Sequence, residues 1–243
     1  MSRRIRRQVP VKLKRILRIV LLFTVSASAV PESFIDFDNM DGWREQPFLY
    51  VKEQSYYSAE TIDGATVLAV RSEDGISALV SEELYSIMET PILEWRWRVD
   101  DFPEGADPRA EITDDFSLRV YIMFQYDKGT IPLGDRIKYG FVKLVYNEFP
   151  PKRVLGFVWS ENAFSDPFIQ STVNSRTRYV EAGEGGGRSV WQTVTVDVVA
   201  EYRRVFDEDP PANVRISIIG DSDGTGDATL GYIDYIRLRS AAE

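Results

Sequence analysis

The chain has 243 residues, with 29 Lys and Arg against 38 Asp and Glu, so its formal net charge is −9 at pH 7. It contains no cysteine and no histidine, which excludes disulfides, thiolate or imidazole metal ligands, cysteine nucleophiles and serine-histidine-acid catalysis. The excess of acidic residues disfavours nucleic acids and anionic lipids as partners, because both repel a negatively charged surface.

Residues 1–29 differ from the rest of the chain and predict a cleaved signal peptide. Eight basic residues and no acidic one precede an apolar run over 19–25, and the small residues Ala27, Ser28 and Ala29 follow. A membrane anchor is the alternative, but that run is far shorter than the roughly 20 residues that cross a bilayer. Cleavage near Ala29 leaves 21 basic and 38 acidic residues, a net charge of −17. A cysteine-free exported chain fits the bacterial periplasm or secretion from a bacterium.

Residues 30–243 contain no linker, internal repeat or low-complexity tract and predict a single domain. Apolar and polar residues alternate along 93–99 and 116–124, which is typical of half-buried strands. Further strands are predicted over 66–71, 137–146, 154–159, 176–181, 192–196, 214–219 and 232–238. About ten strands divided by turns indicate an all-β protein, an antiparallel β-sandwich of the jelly-roll kind. The tryptophans interpreted as core residues are Trp95, Trp97 and Trp191.

One short helix is predicted in this β-rich sequence. Asp197 is placed to cap residues 198–206, and Pro210 and Pro211 stop the segment. Residues 81–88 fit a second, single helical turn. The apolar side of the longer segment consists of Val198, Tyr202 and Val205.

The stretch IIGDSDGTGD at 218–227 concentrates acidic residues and glycines behind an apolar strand. Two aspartates and a threonine fit places one, three and five of an EF-hand-like calcium loop, with Gly226 at place six. Tyr232 stands where the closing glutamate of such a loop belongs, so other ligands would have to come from elsewhere. The alternative is a solvated turn without metal, since Asp, Ser and Gly are favoured in turns for backbone reasons. The candidate ligands of a structural Ca²⁺ are Asp221, Asp223, Thr225, Asp227, Asp234 and Asp36.

Two predicted strands each carry a polar face that suits a ligand. Arg96 and Arg98 project together from one strand, and Arg119 and Tyr121 project together from another. If both strands lie in one sheet, the four side chains form a patch in which arginines bind carboxylates or hydroxyls and the phenol stacks on a sugar. The alternative is that these arginines pair with acidic neighbours. Those neighbours are Glu94, Asp100, Asp114 and Asp115.

Five motifs follow one another in the chain: DFDNMDGW, PILEWRWRVDD, DDFSLRVYIMF, VWQTVTVDVVAEYRRVFDEDPP and ISIIGDSDGTGDATLGYIDYIRL. Their combined order, over about residues 34–239, resembles the domain of unknown function 3047 family of secreted bacterial proteins. The resemblance implies the fold class and an envelope location, but no reaction. The family's acidic turn resembles DTDNTG, whereas this chain has Gly224 in place of the asparagine, which removes a side-chain oxygen.

The two ends of the domain are also similar to jelly-roll carbohydrate-binding modules. The opening FDFD motif with its following GW and the closing YIDYIRL look like the first and last strands of those modules, which pair with each other. This resemblance implies that Asp36 or Asp38 lies near Asp234.

The expected function is ligand binding without catalysis. The protein is expected to be an exported monomeric module for a saccharide or another component of the cell envelope, with one structural Ca²⁺ as a further expectation. A structural or protein-interaction module of the envelope is the alternative. A glycosidase needs two carboxylates and a polysaccharide lyase can use tyrosine with arginine, but acidic residues are too numerous here to single out a pair.

Overall fold

The computed structural model describes residues 32–48, 51–127, 129–146, 148–160, 165–183 and 187–241. The expected signal peptide over 1–29 lies outside the described residues. No helix in the described part of the chain is both long enough and apolar enough to cross a bilayer.

Two β-sheets pack face to face and form the predicted sandwich. The first sheet has the order β12 (Gln192–Asp197), β7 (Ile92–Asp101), β14 (Ala228–Arg239), β4 (Ala65–Glu73) and β3 (Tyr56–Ile62), and β1 (Glu32–Ile35) also pairs with β14. The second sheet has the order β10 (Ile169–Gln170), β11 (Thr177–Glu181), β9 (Arg153–Val158), β8 (Arg119–Phe124), β13 (Asn213–Asp221), β5 (Ile76–Ser81) and β2 (Trp43–Pro47), and β6 (Tyr85–Ser86) also pairs with β13. The described strand pairs are antiparallel except that of β9 with β11, which is parallel.

The core fills the space between the two sheets, and the alternating residues of the central strands supply it. Trp95 and Trp97 of β7 are fully buried and pack edge to face, with ring centroids 5.4 Å apart. Val120 and Ile122 of β8 approach from the opposite sheet. The prediction that Trp191 belongs to this core is wrong, because it precedes the edge strand β12 and packs on the outer face of the first sheet.

The first and last strands lie side by side, as the resemblance to carbohydrate-binding modules implied. β1 runs antiparallel to β14, with Ile35 opposite Ile236. β4 pairs with the earlier half of β14 along the same edge, from Ala228 to Ile233. The last strand, β14, therefore has neighbours along both edges: β1 and β4 on one side and β7 on the other.

Three helices occur among the described residues, against one predicted. Helix α3 (Val198–Phe206) is confirmed, and the Asp197 carboxylate accepts its capping hydrogen bond from Ala200 N–H at 2.9 Å. The predicted strand over 137–146 is wrong, because the segment forms helices α1 (Leu133–Lys138) and α2 (Gly140–Tyr146).

The topology of the second sheet explains why residues 137–146 do not form the predicted strand. β8 and β9 are neighbours in the second sheet, so no position remains between them for a further strand. The connecting segment therefore leaves the sheet, and a short apolar run of this length fits a helix as well as a strand. The helical turn expected over 81–88 is also wrong, since β6 in that segment is an extended pair with β13.

Candidate functional site

A groove of about 610 Å³ lies on the outer face of the second sheet. Its floor comes from outward residues of three strands: Arg119 and Tyr121 of β8, Tyr179 of β11, and Ile219 and Asp221 of β13. The strand alternation that sends valine and isoleucine of β8 into the core sends these side chains outward. The walls come from Phe48 and Val51, from 111–114, from 171–174 and from the acidic turn at 223–224.

Arg119 is the centre of the groove floor, although the residue is only 3% exposed. Its Nη1 donates hydrogen bonds to the hydroxyls of Tyr121 and Tyr179, both at 3.0 Å. Its Nη2 pairs with the carboxylate of Asp221. The guanidinium carbon also lies 5.2 Å from the ring centroid of Phe116. The strong pairing and the aromatic contacts hold this cation in one place.

Phe116 reaches this site because β8 begins later than the alternation predicted. The predicted strand over 116–124 placed Phe116 on the same face as Val120, in the core. The observed strand begins at Arg119, and Phe116 packs instead with Tyr179 on the outer side.

The two tyrosines extend the polar network across the floor. The Tyr121 hydroxyl donates to the Tyr179 hydroxyl at 3.3 Å. The Tyr179 hydroxyl lies 3.5 Å from Asp114 Oδ2 and 3.3 Å from Ser171 Oγ. These contacts connect the walls at 111–114 and 171–174 to the floor of the groove.

Burial controls the ionisation of these groups. It raises the pKa of Tyr121 well above its usual value, although the charge of Arg119 opposes the rise. It also raises the pKa of Asp114 and of Asp223, again against the charge of Arg119. Burial opposes the charge of Arg119 itself, but Tyr121, Tyr179 and Asp114 outweigh it and raise the pKa of Arg119. At neutral pH the site therefore combines a fixed cation with a protonated phenol.

Three carboxylates form a compact group at one end of the groove. One oxygen each of Asp115, Asp221 and Asp223 lies within 4.8 Å of the others. Asp115 accepts hydrogen bonds from the backbone N–H groups of Gly224 at 3.2 Å and Thr225 at 2.7 Å. The Thr225 hydroxyl oxygen is buried and has no hydrogen-bond partner in the described ranges. These oxygens are hard ligands of the kind that Ca²⁺ prefers.

The other three candidate metal ligands lie apart from this group. Asp227 accepts a hydrogen bond from the backbone N–H of Glu104 at 2.7 Å. Asp234 pairs with Arg96 on the outer face of the first sheet. It lies well inside β14, about 20 Å along the strand from its start. Asp36 directly follows β1, which pairs with the later half of β14, so the structure does not bring it to the acidic turn.

The glycine at 224 is required by close packing. A Cβ there would lie 1.8 Å from the carbonyl oxygen of Ile112 and 3.1 Å from Asp115 Oδ1. An asparagine at this position would push the 111–114 wall away from the turn. The glycine therefore allows the two segments to approach closely enough to share Asp115.

Arg96 and Arg98 lie on a different surface from Arg119 and Tyr121. Their strand β7 belongs to the first sheet and β8 to the second, with the core between them. Arg98 binds Asp100 through two hydrogen bonds of 2.6 and 2.7 Å. The Arg96 guanidinium stacks 4.7 Å from the ring centroid of Trp191. The four side chains therefore lie on two separate surfaces and do not form one patch.

Sequence reasoning missed Tyr179 and assigned Asp114 and Asp115 only as partners of arginines. Tyr179 alternates with Thr177 in β11, which gave a signal that both point to one face. No local pattern shows that this face meets Arg119 from a strand about 60 residues away. The parallel pairing of β11 with β9 brings the two residues together.

Comparison with known proteins by sequence identifies a family. The model of the family described as "Protein of unknown function (DUF3047)" matches residues 41–237. No curated protein matches the chain by sequence.

Solved structures with a similar arrangement include carbohydrate-binding modules and lectins. The family 11 carbohydrate-binding module of a cellulosomal cellulase of Clostridium thermocellum has 13% identity and a TM-score of 0.44, covering 89% of this chain and 98% of its own. The family 30 module of another cellulosomal cellulase of that organism has 9% identity and a TM-score of 0.42, covering 87% and 95%. Winged bean acidic lectin, complexed with methyl-α-D-galactose, has 9% identity and a TM-score of 0.44, covering 88% and 100%. At such identities the function of this chain has to be argued from its own residues.

Proposed function

This chain belongs to the DUF3047 family of proteins of unknown function, and we propose that it is a non-catalytic saccharide-binding module that uses the groove of the second sheet. The observation that carries the proposal is the fixed Arg119, Tyr121 and Tyr179 network at the centre of a groove whose walls carry both polar and apolar residues. Ligand pockets of proteins generally have volumes of about 300–1,000 Å³, and this groove falls within that range.

The chemistry of the groove suits a neutral sugar. Hydroxyl groups need both donors and acceptors, and the site offers carboxylates at Asp114 and Asp223 beside the amide of Asn174. The apolar side chains of Phe48 and Ile76 offer a surface for the C–H face of a sugar ring. Because the central donors are held by the protein before binding, little conformational entropy is lost when the ligand arrives.

The ionisation of Tyr121 argues against β-elimination in the groove. A tyrosine that acts as base in β-elimination must lose its proton, and the raised pKa of Tyr121 keeps it protonated at neutral pH. Glu111, Asp114 and Asp223 are the described carboxylates of the lining that would be available to a glycosidase, since Asp221 is paired with Arg119. Cleavage is therefore measured directly in the experiment below.

A binding screen against diverse neutral and acidic polysaccharides tests the proposal. Tyr179→Phe removes the hydroxyl shared by Arg119, Asp114 and Ser171. We expect affinity to fall about tenfold or more, because the groups on the groove floor are then no longer held in place before the ligand binds. Tyr235→Phe is the matched control, because that hydroxyl donates to Glu94 in the first sheet.

Each outcome of the screen has a defined meaning. Retention without cleavage, lost in Tyr179→Phe and kept in Tyr235→Phe, supports the proposal. Loss of binding in Arg96→Ala would move the site to the first sheet. Bond cleavage would make the protein a hydrolase or lyase, and no glycan bound together with a co-purifying protein would favour the interaction module.

We also propose that the carboxylate group beside the groove holds a structural Ca²⁺. Asp115, Asp223 and the Thr225 hydroxyl are placed to supply oxygens, with Asp221 shared between the ion and Arg119. Ca²⁺ takes six to eight oxygen ligands, so backbone carbonyls and water would complete the set. The ion would fix the turn against the 111–114 wall.

Export is the third part of the proposal, and it follows from the signal peptide predicted over 1–29. The chain recovered from a bacterium with a functional export pathway is expected to begin near Val30. Amino-terminal sequencing of that chain tests it, and an intact Met1 in the recovered protein would contradict it.

A further inference from the structure

The chain between β8 and β9 forms a helical excursion, residues 129–146, that carries unusually exposed apolar side chains. Leu133, Ile137 and Leu144 are 73%, 76% and 80% exposed. Single exposed apolar residues are common on protein surfaces, but here three lie within two consecutive short helices, Leu133 and Ile137 one turn apart on α1 and Leu144 on α2. A partner that removes them from water would gain the free energy of their burial.

Helix α1 is fixed to the body of the protein on the side away from these residues. Arg176 donates from Nη2 to Asp135 Oδ2 at 3.0 Å and from Nη1 to the Tyr126 hydroxyl at 2.9 Å. At about 100° per residue, Leu133 and Ile137 lie nearly opposite Asp135 on the helix. The side chains of Leu133 and Ile137 therefore point away from the sandwich.

A basic pocket of about 330 Å³ lies directly beside the excursion. Lys138, Lys152, Arg153 and Arg176 line it, and Asp135 is the one carboxylate among the described residues of its lining. Glu208 contacts Lys152 at 3.4 Å and Arg153 at 3.1 Å from outside the lining. Even with Glu208 counted, the cations outnumber the carboxylates by two.

Two neighbouring groups respond to this excess of positive charge. Burial opposes ionisation of Tyr139, but hydrogen bonds from Lys138 and Arg176 prevail and lower the pKa of its phenol. Burial and the charge of Arg153 together lower the pKa of the Arg178 guanidinium. An anion bound in the pocket would relieve this repulsion.

We propose that the helical excursion docks the protein onto a phospholipid surface that carries anionic headgroups. Leu133, Ile137 and Leu144 enter the interface, and the basic pocket receives a headgroup phosphate. Exposed apolar residues next to lysine and arginine are the features with which interfacial helices bind membranes. The exposed apolar residues and the basic pocket are independent observations. Both fit a membrane, which has an apolar interior and an anionic surface.

The overall negative charge of the chain does not prevent this contact. Charges are screened over about 8 Å at physiological ionic strength, so the excursion responds mainly to its own neighbourhood. Arg136 and Lys143 add two further cations to the excursion, against Asp135 as its one acidic residue. The membrane site goes beyond the saccharide proposal and does not depend on it, since no residue of the groove takes part.

Flotation with lipid vesicles tests the proposal on the full chain. The vesicles contain phosphatidylcholine alone, or phosphatidylcholine and phosphatidylglycerol in equal parts. We expect binding to the mixed vesicles only, because phosphatidylcholine carries no net charge. Any contribution of residues 1–31 is common to all variants, so the difference between variants is decisive.

Two sets of variants separate the apolar and the basic contributions. The triple variant L133S/I137S/L144S is expected to lose at least about tenfold in affinity, and K138A/K152A about fivefold for each lysine removed. The matched controls are Leu84→Ser, which is 49% exposed in another part of the chain, and Lys52→Ala. Because the three apolar residues are exposed, the variants should keep the melting temperature of the parent chain.

The possible results divide clearly. Selective flotation that both variants lose and both controls keep would support membrane docking. Equal binding to both vesicle types, no binding, or flotation unchanged in the triple variant would overturn it. Inorganic phosphate that binds the pocket and leaves flotation unchanged would assign the pocket to a soluble anion, and would overturn its role as a headgroup site.

Discussion

Arg119 and Asp221 form an ion pair on the outer face of the second sheet, and each side chain is only 4% exposed. They come from adjacent strands, since Arg119 of β8 lies opposite Ile219 of β13, two residues before Asp221. The pair joins the two parts of the candidate site. Its cation belongs to the groove floor, and its carboxylate belongs to the acidic group at the turn.

Breaking this pair should be costly. Asp221→Asn leaves the charge of Arg119 buried without its counterion, and we expect the protein to lose about 3–5 kcal/mol of stability. Urea unfolding measures the loss. The double variant R119M/D221L should lose less than D221N alone, because neither charge then remains in the buried site. A cost under about 1 kcal/mol for D221N would show that water screens the pair.

Gly224→Ala tests the contact between the acidic turn and the 111–114 wall. The added Cβ would lie 1.8 Å from the Ile112 carbonyl oxygen, so the two segments must separate, at a cost of about 1–3 kcal/mol. Gly134→Ala is the matched control, since nothing lies within 4 Å of its added Cβ. Alanine favours helix over glycine by about 1 kcal/mol, so this control should be neutral or slightly stabilised in thermal unfolding.

Asp114→Asn should change how stability depends on pH. Burial raises the pKa of Asp114 in the folded protein, so the folded state binds this proton more tightly than the unfolded state. The resulting stabilisation is fully present below the ordinary aspartate pKa of about 3.9 and is lost as pH rises through the raised folded value.

The asparagine variant has no such proton to lose. Its melting temperature relative to the parent should therefore increase from about pH 4 to pH 7. Thermal unfolding across that range measures the difference. A difference that stays constant with pH would contradict the raised pKa, and Asp166→Asn on an exposed ion pair is the control.

Calcium should stabilise the protein if the acidic turn holds the ion. At a free concentration of about 100 times Kd, a ligand that binds only the folded state adds ~2.7 kcal/mol. The melting temperature should then be higher in calcium than in chelator. Asp115→Asn should abolish the shift, and Asp227→Asn should keep it, because Asp227 contacts Glu104 away from the carboxylate group. Equal melting temperatures in both buffers would leave the turn without a metal role.

The predicted strands were confirmed where the sheet pairs the segment on both sides. The alternating residues 93–99 lie within β7, and the strand predicted over 214–219 lies within β13. The same kind of apolar run over 137–146 became helical because the sheet had no place for it. A local hydrophobic pattern shows which residues are buried, but it does not show how many strands the sheet contains or which of them are neighbours.

The sequence by itself determined the two-layer β fold, the α3 cap at Asp197 and the outward direction of Arg119 and Tyr121. The tertiary structure decided that Arg119 is buried, that Tyr179 meets it, and that Arg96 and Arg98 belong to the opposite sheet. Alternation fixes only the side of a strand on which a residue lies. Which strand becomes its neighbour, and which loops cover it, depends on pairings between residues far apart in the chain.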